Sequence, residues 1–201
     1  MNISILCPTR ARPSFCFDLV KTALDKAQDP LGLEFIFYTD DDDDASDNFF
    51  DNTLYFLEDE FVGFDPDKQV IRLEGSRIVL SEMWNKCWEQ STSDIFFHAG
   101  DDIRFRTDHW DKIVIDSFNS IPDKIAFIFG DDGYEDRRDP NFGTHGFIHR
   151  NWTDTVGYFV PPYFSSDYND TWLNDVSHEI KRRYKIPIYT EHLHPAAGNI
   201  I

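Results

Sequence analysis

Four short apolar runs, each stopping abruptly on a polar or acidic turn, constrain this chain most. Ile3–Cys7 stops at Pro8-Thr9-Arg10, and Leu33–Tyr38 runs into the acidic stretch Asp40–Asp44. Ile95–Phe97 ends at Gly100-Asp101-Asp102, and Lys124–Phe129 ends at Gly130-Asp131-Asp132. Short apolar runs without polar alternation read as strands buried on both faces. Between the first two runs lies a helical stretch from Ser14 to about Ala27, with Ser14 as N-cap and Phe17, Val20 and Leu24 near helical spacing. Strand, helix, strand is the opening of a parallel α/β sheet. The C-terminal ends of its strands share one edge, where ligands bind. Arg10, Arg12, several carboxylates of the Asp40 run and the Asp101–Asp102 pair are therefore expected in one site.

The remaining elements follow from period and punctuation. Residues 45–68 read as irregular, with a short helix around Asp47–Phe56, and Gln69–Leu73 as a third strand. Ser76–Gln90 is a clear amphipathic helix, and Trp110–Phe118 is another. Thr144–His149 is expected to be a strand. Thr171–Tyr184 is expected to be a helix with Asp170 at or just before its start, and Ile186–Tyr189 a last strand. Residues 131–143 are polar enough for a loop. With no repeat or linker, residues 1–201 are expected to form a single domain.

Composition narrows the partners. Against 19 Lys and Arg stand 37 Asp and Glu, a net charge of -18. That argues against a broad footprint for nucleic acid or anionic membrane and leaves room only for a local basic cleft. Cys7, Cys16 and Cys87 are odd in number and lack CxxC spacing, so buried free thiols in a reducing cytoplasm are expected, without a zinc site or disulfide framework. No signal peptide or membrane span is expected. GxSxG, HExxH, Walker A and GxGxxG motifs are absent.

Taken in order, the motifs resemble the nucleotide-sugar glycosyltransferases of GT-A fold, especially the family 2 type and small phage or bacterial members. Pro8-Thr9-Arg10-Ala11-Arg12-Pro13 is similar to that family's nucleotide-binding loop. Phe37-Tyr38-Thr39-Asp40-Asp41 is similar to its second strand, and Gly75–Asn85, with Arg77, to its nucleotide-contacting helix. Gly100-Asp101-Asp102 resembles its acidic metal motif, Asn169-Asp170 its catalytic acid at a helix start, and Glu191-His192-Leu193-His194 its late histidine ligand. The chain ends at Ile201, short of the C-terminal segment of many members. The resemblance implies a GT-A-like, Rossmann-type α/β/α sandwich with a mostly parallel sheet. It implies an enzyme that moves a sugar from a nucleoside diphosphate to an acceptor hydroxyl, with inversion. The acceptor class stays open among a modified DNA base, a saccharide and a protein.

Each residue has a chemical reason for its expected role. The leaving diphosphate needs a divalent ion, Mn²⁺ or Mg²⁺, held by hard oxygen ligands. Asp102 is the expected direct ligand and Asp101 a contact to ribose or a bound water. His194, or His192, would complete the sphere, which Mn²⁺ tolerates better than Mg²⁺. Pro8, Thr9, Arg10, Arg12, Asp40, Asp41 and Arg77 are expected around the nucleotide, the arginines on diphosphate oxygens. Asp170, with Asp167 as runner-up, would take the acceptor proton, although Asp170 also suits a helix N-cap. Tyr163 and Trp172 flank it as stacking faces. Two rivals are a nucleotide-sugar or metal-binding module without turnover, and a nucleotidyltransferase, whose Gly-rich, Lys-containing loop is missing. Transfer to a DNA base would need a basic cleft from Lys181, Arg182 and Arg183.

Overall fold

The three apolar runs nearest the acidic turns are buried almost throughout: Ile3–Pro8 forms β1, Leu33–Asp40 β2 and Ile95–His98 β4. This is what strands covered on both faces must show. In chain order the computed structural model, which describes residues 1–134 and 139–193, adds α1 (Pro13–Lys26), α2 (Asp44–Asp51), α3 (Phe56–Glu60), α4 (Pro66–Gln69), β3 (Val70–Gly75) and α5 (Leu80–Gln90). Then come β5 (Ile103–Phe105), α6 (Trp110–Asn119), β6 (Phe127–Asp131), β7 (Gly146–His149), α7 (Arg150–Val156), α8 (Asn169–Glu179) and β8 (Arg183–His192).

The strands form one sheet in the order β3-β2-β1-β4-β7-β6-β8-β5. Among the described residues the pairs β1–β2, β1–β4, β2–β3 and β6–β8 are parallel, and β4–β7, β6–β7 and β5–β8 are antiparallel. The expected mostly parallel α/β sheet is thus present, with antiparallel insertions at β7 and β5. Side chains alternate across β1 and β4. Ile3, Ile5, Cys7, Ile95 and Phe97 pack with Leu19, Val20 and Ala23 of α1 and Trp110, Val114 and Phe118 of α6. Leu6 and Phe96 face the other way, onto Trp84 and Cys87 of α5, Trp152 of α7 and Leu173 of α8. The result is an α/β/α sandwich, and period-two alternation is its cause. The three thiols are free and buried in these layers.

Several boundaries differ from the sequence expectation. The amphipathic helix of residues 76–90 starts only at Leu80, because Val79 before it is extended, with φ of -70° and ψ of 147°. The helix expected over 171–184 ends at Glu179. Lys181 takes a left-handed φ of 58°, and its N–H bonds back to the His178 carbonyl at 2.9 Å, a turn that stops helical propagation. The last strand is therefore much longer than Ile186–Tyr189, and it runs through Pro187. Its register against β6 shifts between Phe129 and Asp131, so Pro187, which cannot donate to a ladder, falls in an irregularity. Gly130 faces this bulge: a Cβ there would lie 2.6 Å from the Ile188 carbonyl oxygen. Ile103–Phe105, too short for a sequence signal, is a strand because β8 pairs with it.

Candidate active site

The loop after β1 folds over the strand ends and grips the acidic turn after β4. Thr9 Oγ1 donates to Asp101 Oδ2 at 2.7 Å, and the Arg12 guanidinium lies 2.6 Å from Asp101 Oδ1 and 3.7 Å from Asp102 Oδ2. From the other side Arg104, only 4 % exposed, donates to the Asp101 and Ile103 carbonyls at 3.0 and 2.8 Å and to Asp18 Oδ2 at 3.0 Å. Phe15 sits between the Arg12 and Arg104 guanidinium groups, 5.4 Å from each. Asp101 is fully buried, and burial pushes its carboxyl above the ordinary value although Thr9 and Arg12 pull it down. Burial also acts upward on Asp102, but the hydrogen bond and charge of His192, with His145 and Arg12, outweigh it, so this carboxyl is held below the ordinary value.

The end of β8 brings a histidine to this turn. The Leu193 N–H donates to the Asp102 carbonyl at 2.8 Å and the His192 N–H to the Asp132 carbonyl at 3.1 Å. His192 Nε2 then lies 3.6 Å from Asp102 Oδ1. His145, just before β7, sets its ring 4.8 Å from that of His192, tilted by 49°. Asp102, His145 and His192 each present one ligand atom, and these atoms all lie within 4.8 Å of one another. Gly100 makes the approach possible: a Cβ there would meet Asp102 Oδ1 at 2.6 Å and His145 Nε2 at 3.4 Å. One carboxylate oxygen and two imidazole nitrogens fit a divalent transition ion, and suit Mn²⁺ better than Mg²⁺. His194 lies outside the described residues.

Several of the residues expected around a nucleotide are held in ion pairs and hydrogen bonds among themselves. Arg10 binds Asp40 at 2.6 Å and also Asp42, and the Ala11 N–H donates to Asp43 at 3.0 Å. Of the acidic run, Asp40 and Asp43 are buried, whereas Asp41 and Asp42 are exposed. Asp41 is tied through its N–H to the Gly75 carbonyl at 2.7 Å. Arg77 is exposed, and its charge helps hold Asp42 low, after the larger effect of Arg10.

On the far side, α5 anchors the loop that leads into α8. Asn85 accepts from the Phe159 and Val160 N–H groups at 2.8 and 3.2 Å, and the Leu80 N–H donates to the Ser165 carbonyl at 3.0 Å. The N-cap position of α8 belongs to Tyr168, not Asp170, which is the second helical residue. Asp170 Oδ1 accepts from its neighbour's N–H, Thr171, at 2.7 Å, so the N-cap expectation is replaced by a first-turn position. Asn174 of α8 exchanges two hydrogen bonds with Gly143, at 2.9 and 2.7 Å, and so ties this helix to the segment carrying His145. Asp167 is exposed in the loop before the helix.

By sequence, no family model matches the chain and no curated protein is similar to it. By structure, it superposes on the mannosyltransferase PcManGT from Pyrobaculum calidifontis in complex with GDP-Man and Mn²⁺, with a TM-score of 0.68 at 11% identity over 95% of this chain and 56% of that one. It also superposes on S. aureus TarS 1-349 in complex with UDP-GlcNAc, with a TM-score of 0.59 at 10% identity over 95% of this chain and 56% of that one. The fold is the GT-A-type glycosyltransferase fold. The chain spans little more than half the length of these GT-A-type structures.

Two residues of the site had escaped sequence reasoning. His145 carries no spacing relative to Asp102, and its one signal is a histidine at the edge of an expected strand. Arg104 lies in a stretch too short to give a sequence signal. If His145 contributes to cation binding, His145→Ala weakens Mn²⁺ binding by ~10-fold or more in calorimetric titration; an unchanged affinity removes it from the site.

His98, at the end of β4, is buried against Trp84, with ring centroids 4.0 Å apart, and burial lowers its pKa from 6.5 to about 4. The unfolded chain therefore binds an extra proton in this window. Stability from the neutral folded form is complete above pH 6.5 and is lost as pH falls towards 4. The expected loss is about 3 kcal/mol. Asp101, whose raised carboxyl is relieved by protonation, works in the opposite direction. Urea unfolding at both ends of this window should show a shallower pH dependence for His98→Phe than for wild type; equal slopes count against this assignment.

Proposed function

We propose that this chain is a metal-dependent glycosyltransferase that moves a sugar from a nucleoside diphosphate to an acceptor hydroxyl, with inversion. The observation that carries the reading is the convergence of Asp102, His145 and His192 within 4.8 Å beside the Arg10–Arg12 loop. A similar fold in PcManGT is in complex with GDP-Man and Mn²⁺, which supports the same donor class here.

Asp102, His145 and His192 would hold the cation, with His194 as a further candidate. When bound, a divalent cation neutralises charge on the departing diphosphate. Arg10 and Arg12 would exchange carboxylate partners for diphosphate oxygens, with Arg77 close to Asp42 at the rim. Pro8 and Thr9 shape the loop, and Asp40 and Asp41 would meet the nucleoside. Asp101, fully buried, would act by fixing the loop and the turn. Asp170 would accept the hydroxyl proton as the new bond to the anomeric carbon forms and the bond to the diphosphate oxygen breaks. Asp167 is the alternative base. No described helix is long and apolar enough to cross a membrane. Three buried free thiols fit a reducing, cytoplasmic setting, the host's if the chain is phage-encoded.

The test is a thermal-shift panel of UDP-, GDP-, dTDP- and CDP-sugars with Mn²⁺ or Mg²⁺. One donor should stabilise the protein by several degrees in a metal-dependent way. No stabilisation by any donor rejects the reading. Donor binding without hydrolysis or transfer favours a binding module.

A further inference from the structure

One cleft runs against the composition of the chain. It encloses ≈ 480 Å³ and is lined by Phe129, Asn141, His178, Lys181, Arg183 and Lys185. The chain carries 37 Asp and Glu against 19 Lys and Arg, yet among the described residues no carboxylate lines this cleft. A space of this size suits a small molecule.

Local structure puts the cations there. Arg183 and Lys185 are two apart at the start of β8, so they share one face of the strand, beside their β6 partners Phe127 and Phe129. His178 stands in the last turn of α8, and Lys181 follows in the turn that stops the helix, at a left-handed φ of 58°. The carbonyls at this helix end are already taken: the Ile180, Lys181 and Arg182 N–H groups donate to Val176, His178 and Ser177 at 3.1, 2.9 and 2.7 Å. The partial negative charge of the helix end, about half a unit, is outweighed by three full cations.

Carboxylates meet these cations only from the rim. Asp139 lies 3.1 Å from Arg183, and Asp131 lies 2.7 Å from Lys185. Each is one contact, whereas a guanidinium has five N–H donors and an ammonium three. Lys181 makes no side-chain ion pair or hydrogen bond among the described residues. His178 approaches only its neighbour Glu179, at 3.7 Å, and keeps a ring N–H to donate. Three cations against two rim carboxylates leave the cleft positive. Arg182 takes no part, being bound to Asp123 at 2.8 Å.

Donors that converge from a strand, a helix end and a loop fit one compact oxyanion. They do not form the track that the repeated phosphates of a nucleic acid need, and the net charge of -18 opposes such a polymer. The cleft is also far from the cation-binding residues. Lys185 precedes His192 on β8 by about 23 Å of extended strand, and His178 lies about 12 Å along α8 from Asp170.

We propose that His178, Lys181, Arg183 and Lys185 form a binding site for a phosphate group, either free phosphate or the phosphate of a small metabolite. Asn141 adds a side-chain amide donor. The proposal does not rest on the transferase reading.

The test titrates the intact chain, without added metal, at about 0.15 M NaCl, so that diffuse attraction is screened. The probes are inorganic phosphate, glucose 6-phosphate, glucose and a single-stranded oligodeoxynucleotide. The readout is the NMR signal of the His178 ring, assigned by its loss in His178→Gln. A phosphate at the Arg10–Arg12 loop would leave that signal in place. Phosphate or glucose 6-phosphate should shift it and saturate at ~10 mM or below. Tighter binding of glucose 6-phosphate assigns the site to a phosphorylated metabolite, and tighter binding of phosphate assigns it to the free ion. Lys181→Asn, which suits the left-handed backbone, and Lys185→Gln should each weaken binding ~5- to 10-fold. A cooperative thermal transition in both variants reports that they fold. No saturation, an equal response to glucose, saturation indifferent to both substitutions, or a response to the oligonucleotide alone overturns the proposal.

Discussion

Asp102→Asn is expected to abolish metal-dependent turnover while leaving the chain folded. The substitution keeps the shape of the side chain and removes the only carboxylate in the Asp102, His145 and His192 group. A hard divalent cation held there would lose its anionic ligand, and two imidazoles alone would hold it poorly. Mn²⁺ affinity should fall by ~10²-fold or more, and donor turnover by at least as much. The apo protein should lose a little stability at neutral pH. The ionised form of Asp102 is favoured in the fold, so its contribution is present above the unfolded carboxylate pKa and fades only as pH falls below it. Calorimetric Mn²⁺ titration, paired with a turnover assay, decides the matter. A variant that binds Mn²⁺ like wild type would place the cation elsewhere.

Asp170→Asn should separate binding from chemistry. Its side chain stands in the first turn of α8, on the helix that Asn174 ties to the His145 segment. Loss of a general base typically lowers kcat by ~10²- to 10⁴-fold. Donor and Mn²⁺ binding should not change, because the substitution leaves Asp102 and the Arg10–Arg12 loop in place. Asp167→Asn, in the exposed loop, should lose less than ~10-fold if Asp170 is the base. The reverse ranking transfers the role to Asp167, and two unaffected variants remove the base from this helix.

Much of the architecture was legible because it is local. Ile3–Cys7, Leu33–Tyr38 and Ile95–Phe97 announce themselves as doubly buried strands, and α1 by the spacing of Phe17, Val20 and Leu24, of which Val20 and Leu24 are buried. Pro, Gly and Asp punctuation then places the acidic turns at the strand ends. The errors gathered where tertiary pairing overrode local pattern. Residues 180–184 look helical in isolation, but a left-handed Lys181 lets Arg183–His192 join β6 and β5. The expected last strand, Ile186–Tyr189, is part of a longer one, and the register shift opposite Gly130 accommodates Pro187 within it. The choice within the acidic run was likewise open, since only burial distinguishes Asp40 and Asp43 from Asp41 and Asp42.

By itself the sequence determined that a parallel α/β sheet would bring Arg10, Arg12, carboxylates of the Asp40 run and the Asp101–Asp102 pair to one edge, because the apolar runs and the turns that end them are local properties. Only the tertiary structure decided that His145 joins Asp102 and the expected His192, that Arg104 holds the turn from beneath, and that Tyr163 and Tyr168 remain in solvent. Those placements come from an antiparallel β7 and a long β8 pairing with strands distant in the chain. Such pairings are fixed by the free energy of burying whole faces, which no short stretch of residues encodes.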